Sequence, residues 1–171
     1  MNKFCITFAG VVGCSKSPVA NYLSGKLNLP VLNNDSIRTE VIEDLGEFNE
    51  KEYIKRRDER AKSIIKNGVS FIYDASVDRE WDLGYQWLKE AGYKWFVISF
   101  DLSENFLIKL YKAKKYHESL TRLEQLIADH QKFIEEHGAE VNVHISDAQF
   151  VDRMEVAYQA AKEFIGRLTE T

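Results

Sequence analysis

An eight-residue segment near the start of the chain has the residue types and spacing of a phosphate-binding loop. Such a loop requires a glycine, four variable residues, a second glycine, a lysine, and then a serine or threonine. Gly10, Lys16 and Ser17 fit this pattern, and Ser15 stands where the second glycine is usual. Backbone N–H groups in such a loop surround phosphate oxygens, and the following helix directs the positive end of its dipole at them. Lys16 would then reach the β- and γ-phosphates, and Ser17 would ligate Mg²⁺.

The loop departs from the usual pattern at two positions. Ser15 would strain the turn by about 1–2 kcal/mol if its backbone needs a positive φ, which glycine adopts freely. Pro18 suits the first turn of a helix but removes an N–H donor that could otherwise meet an α-phosphate. The expected nucleotide contacts in this loop are Gly10, Val12, Gly13, Cys14, Ser15, Lys16, Ser17 and Pro18. The two departures predict weaker binding than a standard loop gives.

Two other interpretations of the segment remain open. A strand-to-helix turn can contain Gly, Lys and Ser without binding a ligand, although the apolar run before the loop and the helical pattern after it supply the setting that a phosphate loop requires. Lys3, the short apolar run and the segment Val-Val-Gly-Cys14 loosely imitate a bacterial lipoprotein leader. That alternative is disfavoured because the run is short and interrupted by Thr7, and because cleavage would remove the first strand.

Asp74 closes the third predicted strand, in the segment FIYDAS. Open α/β sheets bind ligands at the carboxyl ends of their strands, so a carboxylate there could hold Mg²⁺ through water, opposite Ser17. A helix or turn cap is the alternative role for Asp74. Arg79, five residues further on, is a candidate for substrate binding, and an ordinary solvated helix charge is the alternative.

Asp35 and Arg38 follow the second predicted strand and are three residues apart, so at the start of a helix they would share one face above the loop. The carboxylate could accept the proton of an attacking hydroxyl, and the guanidinium could clamp an anionic substrate or stabilise transferred charge. An N-cap is the alternative role for Asp35, and it does not exclude catalysis. Asp35 and Arg38, together with Lys16, are therefore the candidate catalytic residues.

A basic stretch follows the fourth predicted strand in an otherwise acidic chain. Its members are Lys109, Lys112, Lys114, Lys115 and Arg122. Because phosphoryl transfer depends on positioning and charge neutralisation, a basic segment near residues 110–122 could close over the γ-phosphate as a small lid. Lys112 and Lys115 are the expected nucleotide contacts in it. A solvated charge run is the competing explanation, and the sequence leaves the two open.

Strand-like and helix-like segments alternate along the chain, which predicts an α/β sandwich around a mainly parallel sheet. The predicted strands are 3–9, 30–33, 69–74, 95–100 and 141–145. The predicted helices are 17–27, 36–45, 50–66, 80–91, 104–112, 121–137 and 150–168. In the last helix an apolar stripe that includes Val151 is expected to face the core.

The composition is that of an ordinary globular protein. The chain has 171 residues, of which 44% are hydrophobic, so residues 1–171 are long enough for one domain with one sizeable core. A net charge of −4 gives no general attraction to polyanions, so contact with nucleic acid would need a local basic patch. No apolar run approaches the length of a membrane span.

The cysteines and histidines give no pattern of a disulfide framework or a structural metal site. Cys5 falls in a predicted buried strand and Cys14 in the loop, which favours a reducing cytoplasm. Neither HExxH nor another ligand spacing relates the four histidines, which are His117, His130, His137 and His144.

The segments GVVGCSKS, NNDSIR and FIYDAS, followed by DRE and a basic stretch, together resemble the small P-loop kinases of the adenylate-kinase-like group. The similarity covers nearly the whole chain and is strongest to the broad family of polynucleotide 5′-kinases, zeta-type toxins and many ATP-dependent kinases. It implies the P-loop NTPase fold with a parallel sheet in the order 2-3-1-4-5, and ATP with Mg²⁺. It assigns Lys16 and Ser17 to the loop, Asp35 and Arg38 to the base and the substrate clamp, and Asp74 to the third-strand carboxylate.

These residues predict an ATP-dependent kinase that transfers the γ-phosphoryl group to a hydroxyl of a small molecule. A polynucleotide 5′-hydroxyl is the alternative acceptor, modestly disfavoured by the acidic net charge. A function of another class also remains open, a regulatory module that binds a nucleotide without transferring phosphate. Ser15, Pro18 and a lid with lysines where the family has arginines motivate that alternative.

Overall fold

A parallel five-stranded sheet forms the centre of the computed structural model, which describes residues 2–78 and 81–169, with the backbone alone for 82–85. The strands are β1 (Phe4–Ala9), β2 (Val31–Asn33), β3 (Phe71–Ser76), β4 (Lys94–Phe100) and β5 (Val143–Ile145). Their order is β2-β3-β1-β4-β5, and every neighbouring pair is parallel. The predicted fold class and strand order are therefore confirmed.

The helices agree with the predicted pattern apart from their ends. They are α1 (Lys16–Leu27), α2 (Asn34–Leu45), α3 (Glu50–Lys66), α4 (Trp81–Glu90), α5 (Glu104–Lys114), α6 (His117–Leu120), α7 (Leu123–His137) and α8 (Arg153–Thr169). Helix α6 was not predicted, because four residues are too few to show a helical period. None of the helices in the described ranges is long and apolar enough to cross a membrane.

Two boundaries differ from the prediction for identifiable reasons. Strand β3 begins two residues late because Val69 donates its N–H to Ile64 of the preceding helix. Helix α8 begins three residues late because Ser146 and Gln149 form a capping box around a 3₁₀ turn, Asp147–Gln149. Val151 therefore precedes the helix and is 83% exposed, so its predicted place in the core stripe was wrong.

Strand β1 is buried along its whole length, and its side chains alternate between the two faces of the sheet. Ile6 and Phe8 lie in a cluster with Leu23 of α1 and Ala157 of α8. Cys5 points to the other face, into a second cluster that includes side chains of α3 and α4. The sheet is thus covered by helices on both faces, which gives three layers.

Because the strands are parallel, their carboxyl ends meet at one edge of the sheet. Ala9 and Ser99 are neighbours in the register of β1 and β4, and Asn33 lies beside Asp74 in the register of β2 and β3. The loop after the central strand β1 therefore emerges between the loops that follow β3 and β4. All the sequence-predicted catalytic and metal residues in the described ranges lie in or directly after these strand ends.

Leu23→Ala tests the packing of α1 on the sheet. Leu23 is completely buried, so its truncation leaves a cavity and should lower the free energy of unfolding by about 2–5 kcal/mol. Urea unfolding monitored by circular dichroism measures the change. Leu45→Ala is the matched control, because half of the Leu45 surface is already exposed and its loss should cost less than about 1 kcal/mol. Equal losses in the two variants would contradict the packing described.

Candidate phosphate-binding site

The loop between β1 and α1 turns through three residues with positive φ. These are Gly10 at 130°, Gly13 at 77° and Ser15 at 91°. A Cβ on Gly13 would come within 3.0 Å of the Tyr116 ring, and one on Gly10 would come within 2.9 Å of the Cys14 sulfur. Glycine is therefore needed at Gly10 and Gly13 both for the backbone conformation and for the close approach of neighbouring side chains.

The loop leaves a row of backbone N–H groups without protein acceptors. The N–H of Cys14 donates weakly to the Val11 carbonyl at 3.3 Å, and that of Gly10 donates to the Asp78 carboxylate at 3.0 Å. Within the described ranges no oxygen accepts from the N–H groups of Gly13, Ser15, Lys16 or Ser17. This arrangement is a concave backbone surface of the kind that binds anions.

Lys16 folds back over the loop that precedes it. Its ammonium donates to the carbonyls of Gly10 and Val11, both at 2.7 Å, and lies 3.6 Å from the sulfur of Cys14. Burial raises the pKa of Cys14, so its thiol stays protonated despite the nearby ammonium. The contacts hold the positive charge of Lys16 at the mouth of the loop.

Ser17 and Asp74 meet at the start of α1. The Ser17 hydroxyl donates to Asp74 Oδ1 at 3.1 Å, and the Asn33 amide donates to Asp74 Oδ2 at 2.5 Å. Burial raises the pKa of Asp74, and the charge of Asp35 adds to this effect, although the two hydrogen bonds oppose it. A cation would offset the cost of burying this carboxylate. Mg²⁺ prefers oxygen ligands such as hydroxyls and carboxylates, so Ser17 and Asp74 are suited to bind this ion.

Asp35 and Arg38 both lie on α2, and their side chains do not pair with each other. The N-cap of α2 is Asn33, whose Oδ1 accepts from the Ser36 N–H at 2.8 Å, so the cap role considered for Asp35 is filled by another residue. Asp35 is exposed and close enough to act on the pKa of Asp74. The Arg38 guanidinium stacks on the Phe48 ring at 3.9 Å instead of pairing with Asp35. Arg79 lies outside the described residues.

The basic segment covers the tip of the loop through Tyr111 and Lys114. The Lys114 ammonium donates to the Gly13 carbonyl at 2.7 Å, and the Tyr111 hydroxyl donates to the carbonyl of Val12. Lys112 and Lys115 are exposed, and no hydrogen bond or ion pair of their side chains is found in the described part of the chain. Their contact with a nucleotide stays a prediction.

Arg153 is a site residue that the sequence did not reveal. It begins α8, and its Nε donates to the Ser15 hydroxyl at 2.9 Å across 138 positions of sequence. No local spacing could have indicated this contact. The serine that strains the loop is therefore also the anchor for an arginine.

Three cations now surround the loop. They belong to Lys16, Lys114 and Arg153, and among the residues that the structure describes no carboxylate lies within ion-pair distance of any of them. Burial lowers the pKa of Lys114, and the charges of Arg153 and Lys16 lower it further. Mutual repulsion of this kind favours binding of a multiply charged anion.

A partly buried chain of acidic and histidine side chains holds the start of the loop, and the sequence analysis missed it. His130 of α7 lies between two carboxylates, with Nδ1 at 3.1 Å from Asp78 and Nε2 at 2.9 Å from Asp101. Both oxygens of Asp78 accept from the Gly10 N–H, and His144 also donates to Asp101. The four residues are far apart in sequence, so only the fold brings them together.

The charges in this chain stabilise one another. Burial alone would lower the pKa of His130, but the hydrogen bonds to Asp101 and Asp78 outweigh it and raise the pKa to about 9. Burial alone would raise the pKa of Asp101, but its hydrogen bonds with His130, Ser99 and His144 lower it to about 2. The pKa of Asp78 is also lowered, so a protonated His130 lies between two ionised carboxylates near neutral pH.

Several solved structures that are similar to this chain are kinases. A gluconokinase from Sinorhizobium meliloti superposes with a TM-score of 0.64 at 16% identity, covering 97% of this chain and 95% of that one. A shikimate kinase from Aquifex aeolicus gives a TM-score of 0.59 at 15% identity, with 98% and 100% covered. An APS kinase from Mycobacterium tuberculosis in complex with AMPPNP and APS gives 0.56 at 15%, with 94% and 98% covered.

The sequence matches no protein-family model and no curated protein. At these identities the structural similarity establishes the fold alone. The chain therefore has the P-loop NTPase fold of small kinases, and the subgroup of polynucleotide kinases and zeta-type toxins stays a prediction.

The His130 chain predicts a pH-dependent stability. Because the folded pKa of about 9 exceeds the usual 6.5, the stabilisation is fully present below pH 6.5 and is lost as the pH rises through 9. The free energy of unfolding should fall by about 3 kcal/mol at most across this window. Denaturant titrations at pH 6, 7, 8 and 9 measure it.

His130→Asn is the comparison for this experiment. The buried thiols of Cys5 and Cys14 also have raised pKa values, so they too lower the free energy of unfolding near pH 9. Both thiols are present in the variant, so their effect cancels in the comparison. The variant should be less stable at pH 6 and should approach the wild-type value at pH 9. A constant difference between the two proteins across the whole range would show that His130 does not titrate as described.

Proposed function

We propose that this protein is an ATP-dependent kinase that transfers the γ-phosphoryl group to a hydroxyl of a small molecule. The observation that carries the proposal is the loop from Gly10 to Ser17, in which unpaired backbone N–H groups lie beside a lysine at the carboxyl edge of a P-loop kinase sheet. Any helix start leaves its first N–H groups unpaired, as at Lys16 and Ser17, but here the positive φ of Gly13 and Ser15 adds two more unpaired N–H groups to the same concave surface. The similar solved structures support the same reaction class.

The nucleotide side of the site is formed by charge and by backbone donors. The N–H groups from Gly13 to Ser17 would bind the phosphate chain at the N-terminus of α1, and Lys16 would reach the terminal phosphates. Lys114, at 2.7 Å from the Gly13 carbonyl, would neutralise charge from the other side. Ser17 and Asp74 would hold Mg²⁺, which neutralises charge on the β- and γ-phosphates when bound.

The acceptor side of the site contains Asp35. Its exposed carboxylate is near Asp74, so a hydroxyl placed beside it would face the terminal phosphate. The acceptor oxygen bonds to the γ-phosphorus, the bond from that phosphorus to the β–γ bridging oxygen breaks, and Asp35 takes the hydroxyl proton. Arg38, held against Phe48, and Arg79 are the proposed substrate-binding residues.

The acceptor is proposed to be a small molecule in the cytoplasm. The net charge of −4 disfavours a polynucleotide, and both cysteines are buried free thiols, as a reducing compartment favours. A regulatory nucleotide-binding module is the competing function. Tight binding of Mg-nucleotide without turnover on any acceptor would favour that module.

Lys16→Ala tests the nucleotide half of the proposal. Loss of the ammonium should weaken stabilisation of the transferred phosphoryl group and lower the turnover by 10²-fold or more. The assay is transfer of radiolabelled γ-phosphate to a panel of sugars, hydroxy acids, nucleosides and a 5′-hydroxyl oligonucleotide. Lys132→Ala, an exposed lysine on α7, is the control and should retain wild-type turnover. If no acceptor gives product and the two variants cannot be distinguished, the proposal of a kinase is refuted. If only the oligonucleotide gives product, the proposal of a small-molecule acceptor is refuted.

Asp35→Asn tests the acceptor half. The amide cannot take the hydroxyl proton, so kcat should fall by about 10²–10⁴ while the affinity for Mg-nucleotide, measured by calorimetry, stays unchanged. Glu43→Gln is the control, since Glu43 is an exposed carboxylate on the same helix. An unchanged kcat in Asp35→Asn would remove Asp35 from the reaction.

A further inference from the structure

The two departures of the loop from its usual pattern lie on either side of Lys16 and Ser17, and one distant side chain is relevant to both. Arg153 donates from Nε to the Ser15 hydroxyl at 2.9 Å. A glycine at position 15 would have no side chain to accept this hydrogen bond. The serine therefore places a guanidinium at the loop, which a standard loop sequence would not do.

The guanidinium of Arg153 is held on two further sides. Its Nη1 donates to the Phe150 carbonyl at 2.7 Å, and its central carbon lies 4.2 Å from the centre of the Phe150 ring. Its Nη2 has no acceptor within residues 2–78 and 81–169. The contacts of Nε and Nη1 fix the plane of the guanidinium, so the group is preorganised. Both N–H bonds of Nη2 remain available to a ligand.

Among the described residues, no carboxylate forms an ion pair with Arg153 that would explain its position. Its charge lowers the pKa of Lys114, and the Ser15 contact brings it beside the first turn of α1. Burial lowers the pKa of Arg153 as well. A partly desolvated arginine that repels its neighbours gains most from a bound anion.

Pro18 removes a donor from the same turn. The first turn of a helix normally offers N–H groups to a phosphate, but Pro18 has none, so the row of donors ends at Ser17. The neighbouring Ser15 supplies the anchor for Arg153, and arginine binds phosphate through paired N–H donors. The start of α1 therefore lacks the N–H donor of residue 18, and Arg153 brings other N–H donors to the same helix start.

We propose that Arg153 is a phosphate-binding residue of the nucleotide site, positioned by Ser15, and that its free N–H donors replace the backbone N–H that Pro18 lacks. The inference rests on the proposed binding of a nucleotide by the loop. It also explains why Ser15 is compatible with function although its backbone is strained. The serine contributes a contact that glycine cannot make.

Calorimetric titration with Mg-ADP and with inorganic tripolyphosphate tests the assignment. Arg153→Ala should weaken the binding of both probes at least tenfold, because tripolyphosphate has the phosphates without a base or ribose. Ser15→Gly should weaken both severalfold, although it relieves the backbone strain. Arg167→Ala, an exposed arginine on the same helix, is the control and should bind as the wild type does.

A rescue experiment separates phosphate binding from a structural role. Pro18→Ala restores the missing N–H, so in the Arg153→Ala background it should recover at least threefold in tripolyphosphate affinity, and in the wild-type background it should change the affinity less than twofold. Unchanged tripolyphosphate binding in Arg153→Ala, or no recovery on adding Pro18→Ala, would overturn the assignment. If wild-type protein binds neither probe, the proposed function itself fails. Thermal unfolding of each variant shows whether a weakened one is folded.

Discussion

The site depends on one backbone constraint, namely that the N–H groups of Gly13, Ser15, Lys16 and Ser17 have no protein acceptor in the described part of the chain. Unpaired donors in a partly buried turn are costly, so the surroundings must hold the loop in this shape. Positive φ at Gly10, Gly13 and Ser15 sets the curvature. The same curvature brings Lys16 back over the loop, where it bonds to the carbonyls that face the other way.

The loop is held from three directions by side chains of distant segments. Asp78, supported by His130, holds the N–H at its start, and Lys114 holds the Gly13 carbonyl at its tip. Arg153 holds Ser15 at its end. Each contact comes from an element that follows a different strand, so the order of the parallel sheet determines the shape of the loop. Charge repulsion among the surrounding cations then makes the same shape suited to a polyanion.

The fold was predictable because its signals are local and repeated. Alternating strand and helix patterns indicated the class, the loop motif indicated the positions of Lys16 and Ser17, and the end of the third predicted strand indicated that of Asp74. The contacts of Arg153 with Ser15 and of His130 with Asp101 were not predictable, since these residues are 138 and 29 positions apart and no spacing rule relates them. The basic stretch showed the difference clearly. Its charge could be seen in the sequence. Which of its lysines contacts the loop depends on how α5 packs there, and in the structure Lys114 makes the contact.

The position of the Cys14 sulfur has a chemical consequence. It is completely buried beneath the loop, 3.6 Å from the lysine ammonium, and burial keeps it in the unreactive thiol form. An alkylating reagent can therefore reach this sulfur only when the loop opens. The rate of alkylation of Cys14 would thus measure how often the loop opens. Any oxidant that reaches this sulfur would add atoms to a fully buried position, so oxidation at this one atom would distort the loop.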